Sequence, residues 1–459
     1  MIGHVGTVTA ISTPPGKGGV AVIRVSGDDA LAVAEKCFVP KNKKPLSAQA
    51  RRAVYGNILL DGEIIDDGLL LYFPAPASYT GEDVIELSCH GGPLLTGMVL
   101  EATLKAGAVP APAGEFTRRA YLAGKLSLSD AEAVGLAIDA VTRAQVRLSA
   151  SDSRDRLRDA IGEIHDRLIA LLSSLYAGID YPDEDLADLS PNEVAEGVKA
   201  ILADLTKLRD TYRTGRAISV GLPAVIAGKP NVGKSAVFNR LLGEDAAIVT
   251  EIPGTTRDVL EHPLSVGRAL LRLADTAGLR DTADPVETIG VDRAKKRIGE
   301  ADVLLLVFDT SRPLEAEDRE LLAQAKDFSG VAALLLNKRD LPAAWDENAL
   351  PEGSPAAFGV SAKTGEGFDA LKDYLSKTLT DGDLSLGEDA IVSSARQSAA
   401  LSSACDDLSA CLAALTDGVP IDAAASMAEA ALASLSEVDG RTVSGEIVDE
   451  IFSHFCVGK

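Results

Sequence analysis

The sequence predicts a multidomain protein of mixed α/β and α+β class: an N-terminal α+β domain, a discontinuous helical domain, and a doubly wound α/β domain inserted between its two pieces. Three observations carry this prediction. Residues 1–118 show strand-like alternation interrupted by glycine and proline. Residues 119–217 and 381–459 read as helix. Between them, 218–380 alternates apolar strand-like runs with helical segments, the pattern of a doubly wound sheet. Two independent helical units would give the same flanks, and pattern alone does not separate the two arrangements.

Taken in order, strands are expected at 5–11 and 20–25 around a Pro14–Gly19 loop, then a helix at 28–37. Further strands fall at 54–60, 68–73 and 83–88, followed by a helix at 94–106. In the first helical piece Ile161, Ile164, Leu168, Leu171, Leu172 and Leu175 recur at the i, i+3, i+4 spacing of one buried stripe. Pro182 breaks that run, and the acids after it suit the start of the next helix. Near the end, Ile447, Val448, Ile451, Phe452 and Phe455 place an apolar side on a last amphipathic helix.

The inserted domain opens on Gly228-Lys229-Pro230-Asn231-Val232-Gly233-Lys234-Ser235, the phosphate-loop spacing, between an apolar strand at 224–227 and a helix at 236–242. Its glycines let backbone N–H groups of Asn231, Val232, Gly233, Lys234, Ser235 and Ala236 curl around phosphate oxygens, and the helix N-terminus favours an anion. Lys234 would reach the terminal phosphates, and Ser235 would ligate Mg²⁺. Four signals follow, each after an expected strand. Gly254-Thr255-Thr256-Arg257-Asp258 offers hydroxyls to close over the γ-phosphate and Mg²⁺, with Thr256 as second metal ligand. Asp275-Thr276-Ala277-Gly278 follows a strand at 269–274; Asp275 suits the metal's outer shell and Gly278 leaves its N–H for the γ-phosphate. Asn337-Lys338-Arg339-Asp340 and Ser361-Ala362-Lys363 follow strands at 331–336 and 358–360. A carboxylate at Asp340 accepts from guanine's adjacent ring N–H and amine, whereas adenine presents an acceptor there. Five such motifs in order select GTP. The position after Gly278 that in small GTPases holds a water-orienting glutamine is Leu279, so another group must orient water; Arg280, Asp281, Asp284 and Glu287 are near.

The formal net charge is −23, which argues against a generic nucleic-acid binder. The sign is uneven: 381–459 holds fourteen acidic side chains against three basic ones, and 1–56 holds eight basic against three acidic. Any RNA contact is therefore least expected on the acidic C-terminal segment. Cys37, Cys89, Cys405, Cys411 and Cys456 lack paired spacing, which points to a reducing compartment without disulfides or a zinc site. With no basic-then-apolar leader and no membrane-length apolar run, the expected location is the cytoplasm, with no membrane partner.

Several blocks resemble the MnmE (TrmE) family of tRNA-modifying GTPases. They are Thr13-Pro14-Pro15-Gly16-Lys17-Gly18-Gly19, with Lys where Arg is commoner; Tyr79-Thr80-Gly81-Glu82-Asp83; His90-Gly91-Gly92; Gly114-Glu115-Phe116-Thr117-Arg118-Arg119-Ala120 with Gly124-Lys125-Leu126; and the ending Phe455-Cys456-Val457-Gly458-Lys459. The resemblance spans essentially the whole chain. It implies an N-terminal folate-binding domain that also forms a homodimer, a split helical domain and an inserted Ras-like G domain. By motif position it implies folate contacts at Arg24, Glu82, Lys125 and Lys459; read from the residues alone, Arg24 and Lys125 are surface charges. It implies a K⁺ ion held by Asn231, Thr250, the Ile252 carbonyl and Thr255, with G domains pairing across the dimer. Glu287 takes the water-orienting place, joining Lys234 and Thr256 as the catalytic set. It further implies a partner, the FAD-dependent MnmG (GidA), in a heterotetramer or larger. The pair would install an aminomethyl or carboxymethylaminomethyl group at C5 of the wobble uridine of certain tRNAs. The one-carbon unit would come from a reduced folate (5,10-methylenetetrahydrofolate, with 5-formyltetrahydrofolate as a related ligand).

The rival reading is a GTP-gated switch in ribosome assembly, which shares the G motifs but usually carries a basic RNA-binding module. Cys89-His90 has the residue types of a nucleophile–base pair, but strand neighbours point to opposite faces. Cys456 lies fourth from the end, yet Gly458 and Lys459 do not suit prenylation. A redox or nucleophilic role for Cys456 stands beside a plain role as a small buried apolar residue.

Overall fold

The computed structural model describes residues 6–180, 191–245, 261–274, 298–438, 440 and 443–458. By their contacts these form two compact units, Met1–Gly135 with Ser436–Lys459, and Leu136–Leu435.

The chain opens on β1 (Val8–Ile11) and β2 (Ala21–Ser26), then α1 (Ala30–Cys37) runs straight into β3 (Phe38–Pro40). β4 (Val54–Leu60), β5 (Glu63–Phe73) and β6 (Val84–Cys89) follow, then α2 (Pro93–Lys105), β7 (Val109–Pro110) and α3 (Glu115–Leu122). These strands make one seven-stranded sheet in the order β3-β4-β5-β6-β2-β1-β7, antiparallel except for β1 with β7. Strand alternation decides its faces. Ile23, Val25, Ile58, Leu70, Ile85 and Leu87 point into a core shared with Val33 and Val99 from α1 and α2. The next residues along, Arg24 on β2 and its register partner Glu86 on β6, point to the other face.

Next come α4 (Leu128–Asp139), α5 (Arg143–Leu148), the 30-residue α6 (Ser151–Asp180), α7 (Pro191–Asp210) and α8 (Tyr212–Ser219). The six expected stripe residues of α6 are all buried. They are matched by Val194, Val198, Ile201 and Leu205 on α7, which packs along α6.

The inserted domain is built on β8 (Leu222–Ala227), α9 (Lys234–Asp245), β9 (Glu261–Val266), β10 (Ala269–Ala274) and β11 (Val303–Asp309), and on α10 (Ala316–Lys326), β12 (Val331–Asn337), β13 (Ala356–Gly359) and α11 (Phe368–Leu379). The sheet order is β13-β12-β11-β8-β10-β9, parallel apart from β9. β11 shows why this region reads as an unbroken apolar run. Val303, Leu305 and Val307 face a core with α9 and α11, while Leu304, Leu306 and Phe308 face a second core with α10. Both faces of the strand are buried, so every position is apolar.

Among the described residues three helices follow the inserted domain: α12 (Ala395–Thr416), α13 (Ile421–Val438) and α14 (Gly445–Ser453). α12 packs against α7 and buries Leu401, Ala404, Cys405, Leu408 and Cys411. Helical segments thus stand on both sides of the inserted sheet in sequence. In α14 the expected apolar side is narrower: Val448 and Phe452 are buried, Ile447 is exposed and Phe455 lies past the helix end. After α14, Val457 bridges Ala113, and Gly458 is buried with its carbonyl accepting from Ser12 Oγ at 2.9 Å.

Candidate functional site

The parallel strands of the inserted sheet all end on one edge, and their carboxyl ends carry the described nucleotide motifs. β8 runs into the phosphate loop, β12 ends at Asn337, and β13 leads to Ser361. This is the edge where open α/β sheets bind ligands.

Two glycines give the phosphate loop its path. Gly228 has φ +149°, and a Cβ there would lie 2.4 Å from the Val307 carbonyl oxygen. Gly233 has φ +99°, and a Cβ there would lie 2.4 Å from Asn337 Nδ2. Asn231 also takes a left-handed conformation, φ +63°, which asparagine tolerates better than most residues. The Lys234 ammonium donates to the loop's own carbonyls, Gly228 at 3.0 Å and Lys229 at 2.7 Å. It is thereby held over the loop where phosphate oxygens would draw it. Ser235 is exposed in the first turn of α9. The Lys229 side chain is pinned by Glu315 and by Glu317 at 2.9 Å, beside the start of α10.

The two motifs expected to read the base form one network with that loop. Asn337, almost fully buried, donates from Nδ2 to the Val232 carbonyl at 2.9 Å and accepts from the Ala362 N–H at 3.0 Å. Ser361 Oγ donates to Asp340 Oδ1 at 2.8 Å. That hydrogen bond is the main reason the Asp340 carboxyl is held below the usual carboxylate range. Lys363 Nζ stands 3.8 Å from Asp340. Lys338, at φ +68°, places Nζ 2.6 Å from Asp309 Oδ2. Burial would raise the Asp309 pKa, but donation from Lys338 and Ser311 outweighs it and lowers the value. Sequence reasoning missed Asp309; its one signal is an acid at the end of an apolar strand. Thr250, Ile252, Thr255, Thr256, Asp275, Thr276, Ala277, Gly278, Glu287 and Lys459 lie outside the described residues.

A second polar cluster stands in the N-terminal unit. Arg24 is no loose surface charge: its guanidinium lies 5.4 Å from the Tyr79 ring centre and 5.3 Å from that of Phe116, and it meets Glu86 at 2.8 Å. Glu82 Oε2 accepts from Ser26 Oγ at 2.8 Å and from Arg119 Nη1 at 2.7 Å. Arg119 is itself buried and held by Glu115 at 2.9 Å. The Lys125 stem passes Gly81, where a Cβ would lie 3.4 Å from Lys125 Cε. Glu82 and Lys125 therefore share a neighbourhood. Glu86 and Arg119, the partners that fix this cluster, were not assigned a role from sequence: Glu86 meets Arg24 only through strand register, and Arg119 on α3 reaches Glu82 only through tertiary packing.

Cys89 and His90 do not cooperate. Cys89 is buried at the end of β6, and burial pushes its thiol up to about 11. His90 lies past the strand, exposed, with Nδ1 2.8 Å from Asp66 Oδ1. Cys456 is exposed, contrary to the expectation of a buried small residue. Among the described residues no cluster of three or more His, Cys, Asp or Glu side chains could hold a metal by itself, and no helix is long and apolar enough to cross a membrane.

Residues 7–125 match the family model described as GTP-binding protein TrmE N-terminus, and residues 128–456 match the MnmE helical domain. Curated relatives match from end to end. A protein of Symbiobacterium thermophilum named tRNA modification GTPase MnmE is 44% identical, with 99% of each chain covered. Proteins of the same name from Clostridioides difficile and Thermotoga maritima are 39% and 38% identical, covering 99% of this chain and 99% and 100% of theirs.

Proposed function

Because the chain belongs to the MnmE family of tRNA modification GTPases, we propose that it hydrolyses GTP in a K⁺-activated reaction and, with an FAD-dependent MnmG-type partner, modifies the wobble uridine of certain tRNAs at C5. The observation that carries the nucleotide reading is the network in which Asn337 ties Val232 to Ala362 while Ser361 orients Asp340. Asp340 accepts from the guanine ring N–H and amine, and the same network holds the phosphate loop in register with the base. On binding, the Lys234 ammonium exchanges two backbone carbonyls for phosphate oxygens, so its hydrogen bonds are replaced and not lost. Glu287 orients the attacking water, a role Leu279 has no group to fill.

Mg²⁺ fits the residues present. An exposed hydroxyl at Ser235, without an all-protein carboxylate cage among the described residues, suits an ion that shares its oxygens with substrate phosphates. Ser235 and Thr256 would hold it, and it would neutralise charge on the β- and γ-oxygens. The Asn231 carboxamide, with Thr250, Ile252 and Thr255, would hold K⁺, adding positive charge beside the phosphates. In the N-terminal unit Arg24, Glu82, Lys125 and Lys459 would bind a reduced folate, with Glu82 fixed by Ser26 and Arg119.

In this reading 1–118 binds folate and forms a homodimer, 218–380 turns over GTP, and 119–217 with 381–459 supplies the helical scaffold, in a cytoplasmic enzyme. The test is mass spectrometry of tRNA nucleosides from a strain lacking the protein. Wobble uridines without their C5 aminomethyl-type group are expected; a full complement of modified uridines would refute the tRNA reading.

A further inference from the structure

Arg240 lies on α9, the helix that begins at the phosphate loop, and reaches across to the loop that would read the base. Its Nε donates to the Ala362 carbonyl at 3.2 Å and its Nη2 to the Lys363 carbonyl at 2.9 Å. The planar guanidinium suits two successive carbonyls in a way a single ammonium does not. The Ala362 residue is thus held at both ends, since its N–H is already taken by Asn337 Oδ1 at 3.0 Å. Asn337 in turn holds the Val232 carbonyl of the phosphate loop at 2.9 Å. The contacts close a ring: phosphate loop, α9, Arg240, residues 362 and 363, Asn337, and the phosphate loop again. None of the three G motifs in this ring includes Arg240, which sits five residues after Ser235.

We propose that Arg240 is a positioning residue for guanine recognition, coupling the phosphate-binding helix to the Ser361–Lys363 loop and so setting both nucleotide affinity and base selectivity. The inference rests on the GTPase reading. Selectivity enters through Ser361, whose hydroxyl aims Asp340. A loop released from Arg240 lets that hydroxyl drift, and Asp340 then discriminates less between guanine and hypoxanthine, which lacks the exocyclic amine.

The test compares the full-length wild type with Arg240→Ala and Arg240→Lys. It uses calorimetric titration with GDP, a non-hydrolysable GTP analogue and IDP, single-turnover hydrolysis at saturating GTP, and nucleotide-free melting. In Arg240→Ala, Kd for GDP and the GTP analogue should rise equally by about tenfold, the scale on which one of the nucleotide's own hydrogen bonds to the displaced loop is lost. The preference for GDP over IDP should shrink, while the saturated hydrolysis rate stays unchanged and the nucleotide-free melting temperature falls only slightly, for the two hydrogen bonds removed. Arg240→Lys, keeping the charge with a single donor head, should fall between. Unchanged Kd values in Arg240→Ala, beside a wild type that binds GDP, would overturn the inference and leave the GTPase reading intact. So would a lowered melting temperature with an intact GDP-to-IDP ratio, the mark of a purely structural arginine. A wild type that binds no guanine nucleotide would overturn the GTPase reading itself.

Discussion

In the role proposed for Asp340, a carboxylate that reads guanine must stay ionised and keep its lone pairs aimed at the base, and the Ser361 hydrogen bond serves both needs. Asp340→Asn replaces an acceptor with an amide that presents donors. GTP affinity should fall about a hundredfold by titration calorimetry, the scale of two charge-assisted hydrogen bonds. The same amide suits xanthine, whose C2 oxygen accepts where guanine donates, so XTP affinity should rise; an unchanged GTP Kd would contradict the assignment. Asp309 makes a different argument, about stability. Its carboxylate is nearly buried and bound to Lys338, and its pKa is lowered in the fold. Above the ordinary aspartate value, about 3.9, the carboxylate is ionised folded and unfolded, and the pair contributes in full. As pH falls through the lower folded value that contribution is lost. Asp309→Ala should therefore cost about 1–3 kcal/mol in denaturant unfolding at neutral pH, a difference that narrows in acid. A penalty constant down to the lowest pH would contradict the pairing.

At the scale of elements, the phosphate loop depends on two glycines in different ways. A Cβ at Gly228 meets backbone, the Val307 carbonyl of β11, whereas at Gly233 it meets the end of the Asn337 side chain. Backbone inside a central strand cannot move aside cheaply, and a side chain can. Gly228→Ala should lower the melting temperature and abolish nucleotide binding together. Gly233→Ala should cut affinity more than stability, because it displaces the donor that ties Asn337 to Val232. Equal effects on stability would contradict this ranking. The legible elements were those in which local pattern and burial agree. β11 announced itself as an unbroken apolar run because both its faces are covered, and the stripe of α6 because one face is. β9 was not expected: Glu261, His262 and Pro263 carry no strand-like alternation, and its strand character comes from antiparallel pairing with β10 at the sheet edge. β3 was missed because it continues α1 without a turn signal. The Arg24–Glu86 pair was hidden because partners 62 residues apart meet only through strand register.

At the scale of the whole molecule, the residues after α14 return to the N-terminal unit: Gly458 docks on Ser12, just after β1, and Val457 on Ala113. The distinctive ending therefore belongs physically with the N-terminal blocks that resemble it in family specificity, and Lys459 follows directly on a buried residue of that unit. The inserted sheet carries its own motifs on one edge and has its own two cores. The chain thus joins a nucleotide-turnover module to a module proposed for one-carbon chemistry, and the proposed K⁺ requirement of the first is what would set this chain apart from small GTPases with a catalytic glutamine. That proposal is motivated by Leu279 in place of glutamine and by Asn231 standing at the position the family resemblance gives to a K⁺ ligand. The most direct test is steady-state GTP turnover by the purified full-length chain in KCl against NaCl at equal ionic strength with Mg²⁺ present. A rate at least about tenfold higher in K⁺ is the predicted result, since charge supplied at the phosphates is worth several kcal/mol to phosphoryl transfer. Equal rates in the two salts would contradict the account.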